Sequence, residues 1–311
     1  MFHFLNKMKI PKIKKVPVPD IDHPDAPYTM LPKHEFTMGL IAPKGSGKTT
    51  TIINLLEMYK GYFHTIYVFS PTVASDEKWD YIKNLKGVLR QNVELQNWIE
   101  KLLRKRKSTR LVEAPEARNE FTGLYDEYQP DFDGMIGEEC FLEDYTEDIL
   151  RSIYTRQMDL VKLLKKFGQT KHLANRVLIV FDDLVGSSLF SNSRSNIFKG
   201  FNTRHRHYST SMLMVAQAYR EIPKTVRTNY TCLVLFEICN EKELEAIHDE
   251  FPMSCMNKDK WLTMYQYAVK NPYEFMYYNM QEKEKRQRVM KNFDEYIFMG
   301  DPDSDLVLVE Q

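Results

Sequence analysis

The chain carries no excess charge of either sign. Its 43 Lys and Arg are matched by 43 Asp and Glu, for a formal net charge of +0. A uniformly basic polyelectrolyte is thereby excluded, so any contact with nucleic acid has to come from local basic patches. Cysteine is scarce, and Cys140, Cys232, Cys239 and Cys255 show no paired metal-ligand spacing. That usage points to a reducing, intracellular compartment. Cys232 and Cys239 fall in or beside an apolar run, where cysteine acts as a small apolar residue. No apolar run approaches the length of a membrane span. The N-terminal Met-Phe-His-Phe leads into Lys/Pro-rich sequence without the apolar core of a signal peptide, so a secreted protein is not expected. There is no internal repeat, and the methionines are spread over core-like positions, which reads as packing.

What is present is a chain of 311 residues, 43% hydrophobic and 28% charged, enough for one large globular domain or a domain with an appended segment. Residues 36–50 read Phe-Thr-Met-Gly-Leu-Ile-Ala-Pro-Lys-Gly-Ser-Gly-Lys-Thr-Thr. This predicts a short buried strand over 36–41, a glycine-containing loop over 42–47, and a helix from Lys48. A phosphate-binding P-loop (Walker A motif) requires that order. Gly45 and Gly47 let successive N–H groups point at one centre, and the positive end of the following helix faces it. Pro43, Lys44, Gly45, Ser46, Gly47, Lys48, Thr49 and Thr50 form the expected nucleotide-binding set. Lys48 reaches the β- and γ-phosphates of ATP, and Thr49 offers its hydroxyl to Mg²⁺. Ala42 stands where the usual pattern opens with glycine.

The second diagnostic stretch is Val177-Leu-Ile-Val-Phe-Asp-Asp183. It predicts a buried strand with two carboxylates at its C-terminal end, where ligands bind in open α/β sheets. A Walker B strand has this form. Asp182 would hold the Mg²⁺ shell, and Asp183 occupies the place where many P-loop ATPases put a water-polarising glutamate. An acidic turn ending a strand is the blander reading. Residues 211–217 form another apolar run ending in Gln217, which senses the γ-phosphate, holds the lytic water, or simply ends the strand.

Elsewhere, residues 1–33 read as a leader, Pro-rich throughout and basic in its first half (Lys7, Lys9, Lys12, Lys14, Lys15). It is expected to be a solvated arm laid over the domain; contact with a neighbouring subunit or DNA is the sharper version. Strands are expected over 64–70, 231–238 and 273–280. Helices are expected over 49–59, 76–85, 193–207, 241–250 and 258–270, with a turn and short helix carrying Arg227 over 222–229. Residues 86–174 read as a helical insertion before the Walker B strand, with helical periodicity over 95–106 and 147–167. The Arg-Lys-Arg-Lys-Ser-Thr-Arg run at 104–110 is a solvated helix end or a nucleic-acid contact. Residues 281–291, rich in both signs of charge, read as a solvated helix. The ATPase domain is therefore placed over 34–280 and a charged segment over 281–311. The fold class is α/β, a mainly parallel sheet flanked by helices.

Several motifs recur in one order: residues 36–50, Tyr67-Val-Phe-Ser-Pro-Thr72, Val180-Phe-Asp-Asp183, Arg206-His207, Gln217-Ala-Tyr219, Ile222-Pro223 and Val226-Arg-Thr-Asn229. This series closely resembles the genome-packaging ATPases of poxviruses and other large DNA viruses, and their relatives in virophages and mobile elements. These belong to the FtsK/HerA branch of P-loop motors. The resemblance covers about Pro32 to Ile247. A P-loop alone says only NTPase. An Asp-Asp Walker B, an Arg-His eleven positions before the strand-end Gln217, and Pro then Arg-x-Asn say much more. The resemblance implies an ASCE-type P-loop NTPase in which the strand ending at Gln217 separates the Walker B strand from the P-loop strand. It also implies a homo-oligomeric ring that hydrolyses ATP and moves double-stranded DNA, independently of sequence, into a capsid. The partners would include a capsid or portal-like protein, and the setting would be the host cytoplasm or virus assembly site. Lys48, Thr49, Asp182, Asp183 and Gln217 match the ATP site. Arg206 is the first candidate for an arginine supplied to the next subunit's site, and Arg227 the second. A DNA-dependent ATPase or helicase-like motor of a mobile element, and a nucleotide switch with little turnover, are the alternatives.

Overall fold

The computed structural model describes residues 23–83, 140–166, 176–184, 186–190, 196–250 and 257–299. They are organised by one nine-stranded sheet. Its strands, in chain order, are β1 (Thr37–Ile41), β2 (Thr65–Phe69), β3 (Phe141–Leu142), β4 (Val177–Asp182) and β5 (Thr210–Ala216), followed by β6 (Cys232–Leu235), β7 (Met276–Asn279), β8 (Val289–Lys291) and β9 (Glu295–Tyr296). Side by side they run β3-β2-β4-β5-β1-β6-β7-β8-β9. The strands from β3 to β6 are parallel, and β7, β8 and β9 are added antiparallel. The Walker B strand β4 is thus separated from the P-loop strand β1 by β5, the strand that Gln217 follows.

The central strands are apolar on both sides because both sides are covered. β1, β4, β5 and β6 are buried along their whole length, the pattern of a parallel sheet sandwiched between helices. Side chains alternate with the two-residue period of a strand. Ile179, Phe181, Met212, Met214 and Leu233 enter one core, and Leu178, Val180, Leu213, Val215 and Val234 enter the other. The second core is closed by α1 (Lys48–Met58) and α2 (Glu77–Lys83) through Ile52, Leu55, Leu56 and Trp79. The first is closed by α3 (Glu147–Lys166), α4 (Ile197–Arg204), α5 (Lys224–Arg227), α6 (Glu241–Glu250) and α7 (Lys258–Ala268), which contribute Leu150, Phe198, Val226, Ile247 and Trp261. At Gly39, in the middle of β1, a Cβ would lie 2.5 Å from Tyr230 Cε2 and 2.9 Å from Leu233 Cδ1, so only glycine admits Tyr230 there.

Four expectations need amendment. Residues 281–291 do not form a helix. Lys285–Gln287 is a single 3-10 turn and Val289–Lys291 is β8, so the sheet continues past 280 to Tyr296. Cys239 lies beyond the end of β6 and is exposed, whereas Cys232 is buried within β6. The helix expected over 193–207 is interrupted, with α4 ending at Arg204 and a 3-10 turn at His205–Tyr208. Finally, the latter part of the insertion is built into the body of the domain. β3 pairs with β2 at Val68↔Phe141, and α3 packs Leu150 and Ile153 into the first core. The periodicity at 95–106, the basic run at 104–110 and the leader lysines at 7–15 lie outside the described residues.

The stretch before β1 is docked by backbone acceptors. Tyr59 Oη donates to Pro32 O at 2.7 Å, Tyr62 Oη to Pro24 O at 2.9 Å, and Tyr277 Oη to Met30 O at 3.0 Å. His34, within this stretch, and His64, just before β2, are both buried. His34 sits between Ser211 Oγ (2.8 Å) and Ser209 Oγ (3.0 Å), and His64 Nδ1 accepts the Arg176 backbone N–H at 3.0 Å. Burial pushes both imidazoles well below the usual histidine value. Each is neutral in the folded protein and takes up a proton near pH 6.5 once unfolded. Stability from this source is therefore full above about pH 6.5 and is lost as pH falls below it, by up to about 1.4 kcal/mol per pH unit for each histidine. Denaturant midpoints at pH 7.5, 6.5 and 5.5 are expected to be level across the first step and to fall across the second, with a shallower fall in His64→Gln.

Candidate nucleotide-binding and hydrolysis site

The site is assembled at the C-terminal edge of the parallel strands. The chain leaves β1 at Ile41, and the Ala42 N–H donates to Ala216 O at 3.0 Å, which ties the start of the loop to the end of β5. Pro43 to Ser46 closes on itself, with Ser46 N–H and Oγ both donating to Pro43 O, at 3.3 and 2.6 Å. Gly45 and Gly47 have φ of +81° and +99°, the left-handed conformation that side chains oppose. A Cβ at Gly45 would meet nothing within 4 Å, so the bowl above the loop is open. Ala42, the departure from the usual pattern, is buried in the second core, outside the two positions that need positive φ.

α1 begins at Lys48, with the Thr51 N–H bonded to Gly47 O at 3.0 Å. No side chain caps this helix and no acidic residue stands in its first turn. Its N–H groups and positive dipole end are therefore left for an anion. Thr49 is half-buried and Thr50 exposed on that turn.

Facing the bowl are the ends of β4 and β5. Asp183 has φ of +53°, uncommon for a residue with a side chain. Its carboxylate is met by Gln217, whose Nε2 lies 3.1 Å from both Oδ1 and Oδ2, and Lys48 Nζ lies 3.8 Å from Oδ1. Asp182 is only 4% exposed. Ser70 Oγ donates to its Oδ2 at 3.0 Å. Burial raises the Asp182 pKa, opposed by the Ser70 hydrogen bond and the Lys48 charge. The two neighbouring acids thus differ in setting: one is sunk and hydrogen-bonded, the other partly exposed and held by an amide and an ammonium. In the sequence Ser70 is a strand end within the Tyr67–Thr72 motif; its contact with Asp182 comes from β2 lying beside β4.

The P-loop, Lys48, Asp182, Asp183 and Gln217 are thereby brought together. The two arginines are not. Arg206 is exposed in the turn that precedes β5. β5 then runs seven residues to Ala216, beside the site, so Arg206 stands about 20 Å away, at the opposite edge of the sheet. Arg227 is buried. Its Nε and Nη2 each lie 2.9 Å from a Glu250 carboxylate oxygen, and its guanidinium carbon sits 4.6 Å from the centre of the Tyr219 ring.

The sequence matches the family described as Poxvirus A32 protein over residues 26–120 and 128–311. The DNA packaging protein OPG160 of Monkeypox virus is 28% identical over 146 residues, 46% of this chain and 47% of that protein. The same protein of Vaccinia virus (strain Copenhagen) is 28% identical over 146 residues, 46% of this chain and 52% of that protein. The match spans about half the length of these curated relatives. Among solved structures, the genome packaging NTPase B204 of Sulfolobus turreted icosahedral virus 2, in complex with AMPPCP, superposes with a TM-score of 0.45 at 12% identity. It covers 82% of this chain and 96% of that one. With more than half of its length matched, the chain belongs to the Poxvirus A32 protein family.

Proposed function

We propose that this protein is an ATPase that drives double-stranded DNA into a viral capsid. The observation that carries the reading is the meeting of Lys48, Asp183 and Gln217 at the mouth of an open P-loop. The glycine bowl and uncapped α1 suit a triphosphate. Thr49 and Asp182 suit Mg²⁺, which favours a few oxygen ligands beside phosphates. Bound there, Mg²⁺ would neutralise charge on the β- and γ-phosphates.

The rest of the work falls to the chain itself. Lys48 exchanges the Asp183 carboxylate for phosphate oxygens. Asp183, one-third exposed, accepts a hydrogen bond from the attacking water, and Gln217 fixes the carboxylate's orientation. Ser70 holds the buried Asp182 in one rotamer. Ser70→Ala is accordingly expected to raise the Mg²⁺ concentration for half-maximal turnover by about 10–100-fold, with metal-free nucleotide binding little changed, as a Mg²⁺ titration would measure.

The distance of Arg206 from its own chain's site supports a ring in which it serves a neighbour. Lys48→Ala and Arg206→Ala are each expected to be inactive, and a mixture of the two to regain turnover. In the mixture some sites combine an intact Lys48 with an intact Arg206 from the adjacent subunit. Membership of a poxvirus family supports packaging over a capsid-free motor of a mobile element, and the oriented carboxylate supports turnover over a passive switch. With zero net charge, DNA contact would be local, made to the phosphate backbone, and weakened by salt. The test is ATP hydrolysis with and without linear double-stranded DNA, on wild type and Lys48→Ala. Stimulation by DNA that is lost in Lys48→Ala supports the proposal, and turnover indifferent to DNA opposes it.

A further inference from the structure

We infer that Tyr273 is the platform on which the purine base of the nucleotide stacks, an assignment that rests on the P-loop reading above. Direction is the first argument. The carboxylates and Gln217 lie on the β4–β5 side of the P-loop strand, so the terminal phosphate points that way. The nucleoside end then emerges on the other side, over β6 and β7. β7 runs antiparallel to β6 with Met276 opposite Leu235, which returns the chain to the same edge of the sheet as the P-loop. Tyr273 stands three residues before β7.

Contact is the second argument. A Cβ built on Gly47, the residue before α1, would lie 3.4 Å from Tyr273 Cδ1, so the ring edge lies beside the P-loop. Exposure is the third. Tyr273 is 70% exposed, the most exposed of the large apolar side chains among the described residues. One edge of the ring therefore faces the loop while most of its surface meets solvent, which packing does not explain. An aromatic ring presented in this way binds nucleobases with little regard to sequence or base identity.

The fourth argument is how the ring is held. Tyr273 has φ of +69°, an outlier for a bulky residue. The strain is imposed by a clamp. The Glu274 carboxylate accepts the Asn271 N–H at 2.8 Å, Asn271 Nδ2 at 3.0 Å and Lys291 Nζ at 2.8 Å, and the Glu274 N–H closes back on Asn271 O at 3.2 Å. Strained residues held by surrounding structure gather at ligand sites. The strand β8, which supplies Lys291, thereby becomes part of the nucleotide site's support. Because stacking does not read the base edge, GTP and ATP should bind within a few-fold of each other.

The experiment is calorimetric binding of AMPPNP and of inorganic tripolyphosphate to wild type, Tyr273→Ala, Tyr273→Phe and Lys48→Ala. Stacking predicts that Tyr273→Ala weakens AMPPNP by about 5- to 100-fold and leaves tripolyphosphate unchanged, while Tyr273→Phe keeps both. Wild-type affinity for AMPPNP in Tyr273→Ala overturns the inference. So does an equal loss of both ligands, which would mean that the ring shapes the loop rather than meeting the base. Failure of the P-loop reading looks different: wild type binds neither ligand, or Lys48→Ala binds both as wild type does.

Discussion

Asp183→Asn is expected to lower ATP turnover by about two to four orders of magnitude while nucleotide binding persists. The substitution keeps the shape of the side chain and removes its charge and basicity. It also suits the backbone, since asparagine is among the residues that best tolerate the left-handed conformation Asp183 adopts at φ +53°. Lys48, which lies 3.8 Å from the Asp183 carboxylate, loses a competitor for the phosphates, so affinity for ATP should hold or rise. Gln217 can still meet the asparagine carbonyl. Turnover and calorimetric affinity measured on the same preparation decide the matter. A variant that turns over within a few-fold of wild type would make Asp183 a strand-end turn residue and leave the site without a water-orienting acid.

Arg227→Ala is expected to destabilise the fold by about 3–5 kcal/mol, and Glu250→Ala by a similar amount. The pair is bidentate and nearly dry: the arginine side chain is 8% exposed and the glutamate 16%. Arg227 Nη1 also donates to Tyr219 O at 3.3 Å, and the guanidinium lies over the fully buried Tyr219 ring. Removing Glu250 strands the buried guanidinium, and removing Arg227 leaves the glutamate only the exposed Lys224, whose Nζ lies 3.9 Å away. For a domain of this size the melting temperature should drop by roughly 6–20 °C. An arginine that reached a neighbouring active site would behave in the opposite way, with turnover abolished and the melting temperature unmoved. Unchanged stability in Arg227→Ala would therefore return Arg227 to the candidates for completing a neighbour's site, where Arg206 now stands alone.

The parts of this protein that were legible in its sequence are those where one segment carries its own reason. β1, β4 and β5 are apolar runs because both faces are covered, and each leads into residues proposed to do the chemistry: the P-loop, Asp182-Asp183 and Gln217. What was not legible depends on neighbours distant in the chain. Ser70 meets Asp182 only because β2 lies beside β4. Arg227 is neutralised by Glu250 from another helix, 23 residues on. β8 and β9 are antiparallel strands of three and two residues at the sheet edge, too short to show a two-residue period. The charges just before them, from Glu282 to Arg288, made residues 281–291 look like a solvated helix. Cys239 follows a strand that ends sooner than its apolar run suggested.

ATP hydrolysis at this site is proposed to move double-stranded DNA. A linear duplex carrying a short triplex-forming strand near one end tests it most directly. Release of that strand is followed with ATP and Mg²⁺, with AMPPNP in place of ATP, and with Asp183→Asn in place of wild type. Release is expected from wild type with ATP and Mg²⁺, none with AMPPNP and none from the variant. DNA-stimulated ATP hydrolysis by wild type without release of the strand would contradict the proposal, because the site would then sense DNA without moving it.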